Sequence, residues 1–146
     1  MKKCLVVISV MCLALLAGCG NDSRVLVCTK DLTSSGIKMV QEAQVKFIGN
    51  KVDSMNTTIT ATLPDSYKSY IDTFVSQFKR QYESQYGKYD TVKVSTTKKG
   101  DSKIVVDIDF DYKAMSDADK KALNMAGSED YDVNKETLEK SGFTCK

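Results

Sequence analysis

Tyr67, Tyr70, Ile71, Phe74, Val75, Phe78 and Tyr82 recur at helical spacing over four turns, with Lys68, Asp72, Gln77, Lys79, Arg80 and Glu83 between them. A stripe of that width predicts an amphipathic helix with one apolar face, made to lie on a sheet. Pro64-Asp65-Ser66 opens the segment, with Asp65 or Ser66 as its cap, and Gly87 ends it.

The sheet such a helix needs is legible on both sides. Arg24 to Lys30 is a short strand rich in β-branched residues, and Asp31 to Gly36 reads as a turn. Ile37, Met39, Ala43, Val45 and Phe47 then alternate with Lys38, Glu42 and Lys46, the period of a half-buried strand. Gly49-Asn50-Lys51 turns the chain into a strand carrying Met55, Thr57, Ile59, Ala61 and Leu63 on one face. A three-residue or five-residue loop pairs Val45 with Met55 and Ala43 with Thr57. A two-residue loop puts their apolar faces on opposite sides, because side chains alternate with period two. After the helix, Val92, Val94 and Thr96 alternate with Lys93, Ser95 and Thr97, and Lys99-Gly100-Asp101-Ser102 turns. Ile104, Val106, Ile108, Phe110 and Tyr112 then share a face. Ser116-Asp117-Ala118-Asp119 opens a short helix with an Asp in the capping-box position, ending near Gly127. Val133 to Ser141 is a last helix, with Gly142 as its C′ residue. The order β-β-β-α-β-β-α-α predicts an α+β fold, an antiparallel sheet of about five strands with the long helix packed on one face. The 146 residues, a single Pro and the lack of a linker or repeat point to one domain.

The N-terminus reads as an address. Met1-Lys2-Lys3 is basic, and Cys4 to Leu16 is apolar but for Ser9. That run is too short for a comfortable span of roughly 20 residues and suits the core of a secretory signal. It ends in Leu16-Ala17-Gly18-Cys19, which resembles the lipobox of bacterial lipoproteins. The resemblance implies cleavage before Cys19 and lipidation of its thiol. Residues 1–18 are then a signal peptide, 19–24 a lipidated Cys with a short tether, and 25–146 the domain. The expected location is the extracytoplasmic side of a cell membrane, lipid-anchored. In a host with two membranes, Gly20 stands where an Asp would favour inner-membrane retention, so the outer membrane is compatible.

With Cys4 and Cys12 in the signal and Cys19 taken by lipid, Cys28 and Cys145 are left as a pair. Neither lies in a CxxC motif, so a disulfide is the economical reading in an oxidising compartment. The alternative, a reactive thiol, needs a base or cation to lower its pKa.

Removing Lys2 and Lys3 from the 21 basic residues leaves 19 against 19 acidic ones. A neutral domain lacks the basic stripe that nucleic-acid binding requires, so no nucleic-acid partner is expected. The chain has no His, which removes the usual base near neutral pH and the commonest transition-metal ligand. No Gly-rich phosphate loop, Ser/His/Asp set or metal-spaced cluster is present, so neither enzyme activity nor a cofactor or metal is expected.

Asp107, Asp109 and Asp111 alternate along the last long strand, which places their carboxylates on one face about 6.5–7 Å apart. Such a row holds Ca²⁺ only if other oxygens join it; a solvated face with cross-strand partners is the simpler reading. With the loop centred on Asp101, Lys93 falls opposite Asp109. As a glycosidase pair the carboxylates lack a cleft to raise one pKa. Tyr67, Tyr70 and Tyr82 read as core or rim of the amphipathic helix, whereas Tyr86 and Tyr89 lie beyond the stripe and are freer to touch a ligand. The candidate binding face is therefore Asp107, Asp109, Asp111, Tyr86 and Tyr89.

The lipobox, the turn in Val45-Lys46-Phe47-Ile48-Gly49-Asn50-Lys51-Val52, the long helix and Val106-Asp107-Ile108-Asp109-Phe110-Asp111-Tyr112 together resemble the YehR-like family of small bacterial lipoproteins. The resemblance implies fold and location and no activity. The function expected is a membrane-anchored, non-catalytic binding module, its partner an envelope protein or a small ligand. The alternative is a structural, envelope-integrity lipoprotein without a discrete ligand. A hydrolase of envelope polymers ranks third, since no nucleophile and base can be named for it.

Overall fold

The computed structural model describes residues 22–125 and 130–146, so the signal, Cys19 and Gly127 lie outside the described residues. The fold is α+β. Six antiparallel strands run in the order β4-β5-β3-β2-β1-β6, where β1 is Ser23–Asp31, β2 Lys38–Ile48, β3 Lys51–Thr62, β4 Val92–Lys99, β5 Lys103–Phe110 and β6 Thr144–Cys145. The sixth strand, two residues long, is too short to leave a periodic trace in the sequence. It pairs Cys145 with Cys28 and Thr144 with Thr29.

The first hairpin reaches the expected register by a different route. Val45 pairs with Met55 and Ala43 with Thr57, but the loop is the two-residue turn Gly49-Asn50, closed by Ile48 opposite Lys51. The register shifts between Lys46, opposite Ser54, and Phe47, opposite Val52, which leaves Asp53 as an extra residue in β3. That bulge restores the apolar faces to one side, the task the longer loop was expected to do. In the second hairpin the loop is centred on Asp101, and Lys93 stands opposite Asp109.

Even positions of β5, odd positions of β2, odd positions of β3 from Met55 onward and, beyond the bulge, Val52 face the helices. Ile59, Ala61, Ile104, Val106 and Ile108 are buried there with Ile71, the first residue of α1 (Ile71–Tyr86). Phe74, Val75, Phe78, Tyr82 and Tyr86 complete that contact from the helix. The segment before α1, Asp65–Tyr70, is a 3₁₀ turn with Pro64 at its N-cap and no side-chain cap. Asp65 pairs instead with Lys68 at 2.9 Å. Three residues per turn does not continue the 3.6 stripe, and Tyr67 and Tyr70 end 40% and 59% exposed.

The other half of this face is covered by α3 (Tyr131–Lys140), whose Tyr131 and Leu138 pack with Phe143 on Leu26, Cys28, Val45 and Phe47. Asp130 caps α3 by accepting from the Asp132 and Val133 amides. Its C-terminus is closed by the Gly142 and Phe143 amides donating to the Glu139 and Leu138 carbonyls at 3.0 and 3.1 Å. Gly142 has φ +87°, the left-handed conformation this closure requires. Between the two helices α2 (Asp117–Ala122) is capped by Ser116, which accepts from the Asp119 amide at 3.1 Å. It stops at Ala122, short of the expected end, and Asn124 takes a positive φ of 55°.

Candidate functional site

Pairing fixes which side chains share the helix-free face of the sheet. One transverse row reads Val27, Gln44, Asn56, Asp109, Lys93, and the next reads Thr29, Glu42, Thr58, Asp107, Ser95. On the opposite side of the first row lie Val25, Lys46 and Ser54, and beyond them Asp111, whose amide donates to the Thr91 carbonyl at 2.9 Å. Polar residues dominate because period-two alternation sends the apolar set to the helices.

At the end of the sheet where β1 begins, this face is hollowed into a depression of about 560 Å³. Val25, Gln44, Lys46, Asn56, Lys93, Asp109 and Asp111 line it, with Asp90 among the other lining residues. The size is in the range of small-ligand sites. Two of the three alternating aspartates reach it. Asp109 accepts a hydrogen bond from the Asn56 amide at 2.6 Å, and Asp111 accepts from the Ala114 backbone amide at 3.2 Å. Asp107 lies one row away and accepts from the Thr58 hydroxyl at 2.8 Å. Its role in the structure is to join β5 to β3.

Tyr86 and Tyr89 are not brought to this face. Both pack against the Ile59, Val106 and Phe110 cluster on the helix-covered side, with the Tyr86 ring 5.7 Å from Phe110 in an edge-to-face contact. Burial pushes the phenols of Tyr82 and Tyr86 above their ordinary pKa. The last turn of α1 runs over the end of β5, so the aromatic stripe continues past Tyr82. At its start Tyr67 lies on the rim, its ring 5.9 Å from Phe74 edge-to-face, and Tyr70 is exposed.

The residues that sequence reasoning passed over are Gln44, Lys46, Asn56 and Asp90. The signal for two of them was present, since pairing Val45 with Met55 also sets Gln44 opposite Asn56. Lys46 carries a second feature. Its ammonium lies 3.4 Å from the Asp53 carboxylate at the bulge, and Lys113 pairs with the same carboxylate. The hydrogen bond from Lys113, followed by that from Lys46, holds the Asp53 carboxyl below its usual pKa against the effect of burial.

Among the described residues no group of three or more His, Cys, Asp or Glu is placed to hold a metal ion. No helix among them is long and apolar enough to cross a membrane. Cys28 and Cys145 are joined by a disulfide with a Cα–Cα distance of 4.0 Å.

No family model matches the chain, and no curated protein matches it. A solved structure does: the NMR structure of the protein from Streptococcus pneumoniae TIGR4, with a TM-score of 0.54 and 13% identity over 100% of this chain and 94% of that one. At that identity the likeness is one of fold alone.

Proposed function

We propose that the chain is a lipid-anchored, extracytoplasmic binding module of a bacterial envelope, acting without catalysis through the open face of its sheet. The observation that carries the reading is the depression of about 560 Å³ lined by Lys46, Asn56, Lys93, Asp109 and Asp111. It lies beside β1, the strand that follows the lipobox-like Leu16-Ala17-Gly18-Cys19. Four residue steps separate Cys19 from Ser23, at most roughly 14 Å of extended chain. A lipid at Cys19 would therefore keep this end of the sheet near the headgroups. The kinship proposed with the YehR-like lipoproteins rests on the same lipobox and on the β2–β3 turn and β5 patterns quoted above.

The test is cross-linking in intact cells. The lipidated protein is compared with an Asp109→Asn/Asp111→Asn variant and with Asp107→Asn, whose carboxylate lies outside the depression. A specific adduct kept by Asp107→Asn and lost by the double variant supports the reading. No specific adduct, or one indifferent to all three substitutions, returns the protein to an envelope-integrity role. Mass spectrometry of the extracted chain tests the anchor, since a mass without lipid removes it.

A further inference from the structure

The two sides of the depression carry opposite charge. On the β2 side the lining charge is Lys46; its partner Asp53 lies outside the lining and is paired with Lys113 as well, so it does not neutralise Lys46 alone. On the β5 and β4 side, Asp90, Asp109 and Asp111 stand with only Lys93 among the lining residues, a surplus of two negative charges. Between them, on β3, lies the Asn56 amide, which donates to Asp109 at 2.6 Å and accepts from the Thr58 hydroxyl at 3.2 Å. It so keeps one N–H and one lone pair for a ligand. Gln44, on β2 beside Lys46, donates to Glu42 at 2.8 Å. Val25, 49% exposed, adds an apolar flank.

From these we infer that the depression binds a short peptide with free ends, its carboxylate toward Lys46 and its ammonium toward Asp109 and Asp111. This rests on the binding-module reading and deepens it. The polarity selects a dipolar ligand, since an anion alone meets the aspartates and a cation alone meets Lys46. The span selects its length. β2 and β5 are separated by β3 alone, so the two walls are about 9.5 Å apart at the usual strand spacing. Three residues at about 3.3–3.6 Å each cover that distance. The Asn56 amide, on the strand between the two walls, has its second N–H and second lone pair left for the peptide groups between.

The test uses the full-length chain in detergent micelles, with backbone amide NMR shifts as the readout and trialanine as the probe. Companion probes are N-acetyl-trialanine, trialanine amide and O-phosphoethanolamine, a shorter dipole. Trialanine is expected to move the amides of Lys46, Asn56, Asp109 and Asp111, and blocking either end is expected to weaken binding about tenfold. O-Phosphoethanolamine is expected to bind about tenfold more weakly than trialanine. Two variants assign the ends. Asp109→Asn/Asp111→Asn loses the preference for trialanine over its acetylated form and keeps the preference over its amide; Lys46→Gln does the reverse. Equal binding of blocked and free peptides overturns the dipolar assignment, and tighter binding of O-phosphoethanolamine overturns the peptide. If no probe binds while the cellular adduct still depends on Asp109 and Asp111, the peptide inference falls and the binding module stands. If the adduct is absent as well, both fall.

Discussion

Cys28 and Cys145 stand directly opposite each other in adjacent antiparallel strands, although 117 residues separate them in sequence. The disulfide closes almost the whole domain into one loop, and β6 is two residues long, with the Lys146 amide just beyond it donating to the Val27 carbonyl at 3.0 Å. Cross-linking a loop of that size restricts the unfolded chain strongly. The double variant Cys28→Ala/Cys145→Ala is expected to lose about 2–5 kcal/mol of stability. Guanidinium unfolding with and without reductant measures it. Reductant should shift the wild-type midpoint and leave the variant's unmoved. Equal midpoints for wild type and variant under oxidising conditions would show that backbone pairing and packing hold β6 without the disulfide.

Asp53 gives an acid-side prediction. Its carboxyl is held below the ordinary value of 3.8, first by Lys113 and then by Lys46. A group with a depressed folded-state pKa adds stability that is fully present above its unfolded pKa and is lost as pH falls through the folded one. Asp53→Asn should therefore destabilise the domain by a constant amount above about pH 5, and the difference from wild type should shrink below about pH 4. Urea midpoints of both proteins across that range measure it. A difference that persists unchanged to pH 2 would assign the cost to the altered bulge backbone instead of to charge.

The same bulge shows what sequence can and cannot reveal. Alternation at Ala43, Val45, Met55 and Thr57 dictates the pairing of β2 with β3, because one face must be buried. It does not dictate where the extra residue goes, since a longer loop and a bulge at Asp53 satisfy the faces equally. Lys93 opposite Asp109 was legible because a three-residue loop joins their strands. Asn56 beside Asp109 was not, because β3 and β5 are linked through α1 and their register is set by packing. The depression depends on that non-local register, so its aspartates were visible as a row while most of its other lining residues were not. Tyr67 and Tyr70 reach the rim and not the core for a local reason: their spacing fits either helix type, and Asp65–Tyr70 is 3₁₀.

Phe47 is fully buried, and its ring meets Tyr131 edge-to-face at 5.2 Å, joining β2 to α3. Removing a buried aromatic ring loses its transfer free energy and leaves a cavity. Phe47→Ala is expected to cost about 3–5 kcal/mol. Arg24, which stacks on the outer side of the contact at 4.8 Å from the Tyr131 ring, is expected to cost about 0.5–1 kcal/mol on truncation to Ala. Urea unfolding of the two variants measures both. A cost below 1 kcal/mol for Phe47→Ala would mean that α3 recloses over the space, and amide exchange along 131–140 would show it.

Tyr82 and Tyr86 give the alkaline limit. Burial raises both phenols above the ordinary 10.0, so the folded state resists their ionisation. A raised folded-state pKa keeps its contribution to stability below the unfolded value and loses it as pH climbs toward the folded one. The domain should therefore lose stability from about pH 10 upward, with part of its tyrosinate absorbance appearing only as it unfolds. Tyr86→Phe keeps the ring against Phe110 and removes one of the two titrating groups, so its stability should match wild type at pH 7 and exceed it above pH 10. Absorbance titration alongside circular dichroism measures both. Tyr82 and Tyr86 ionising at their ordinary pKa while the fold persists would place Tyr86 in solvent and reopen the helix-side surface as a contact face.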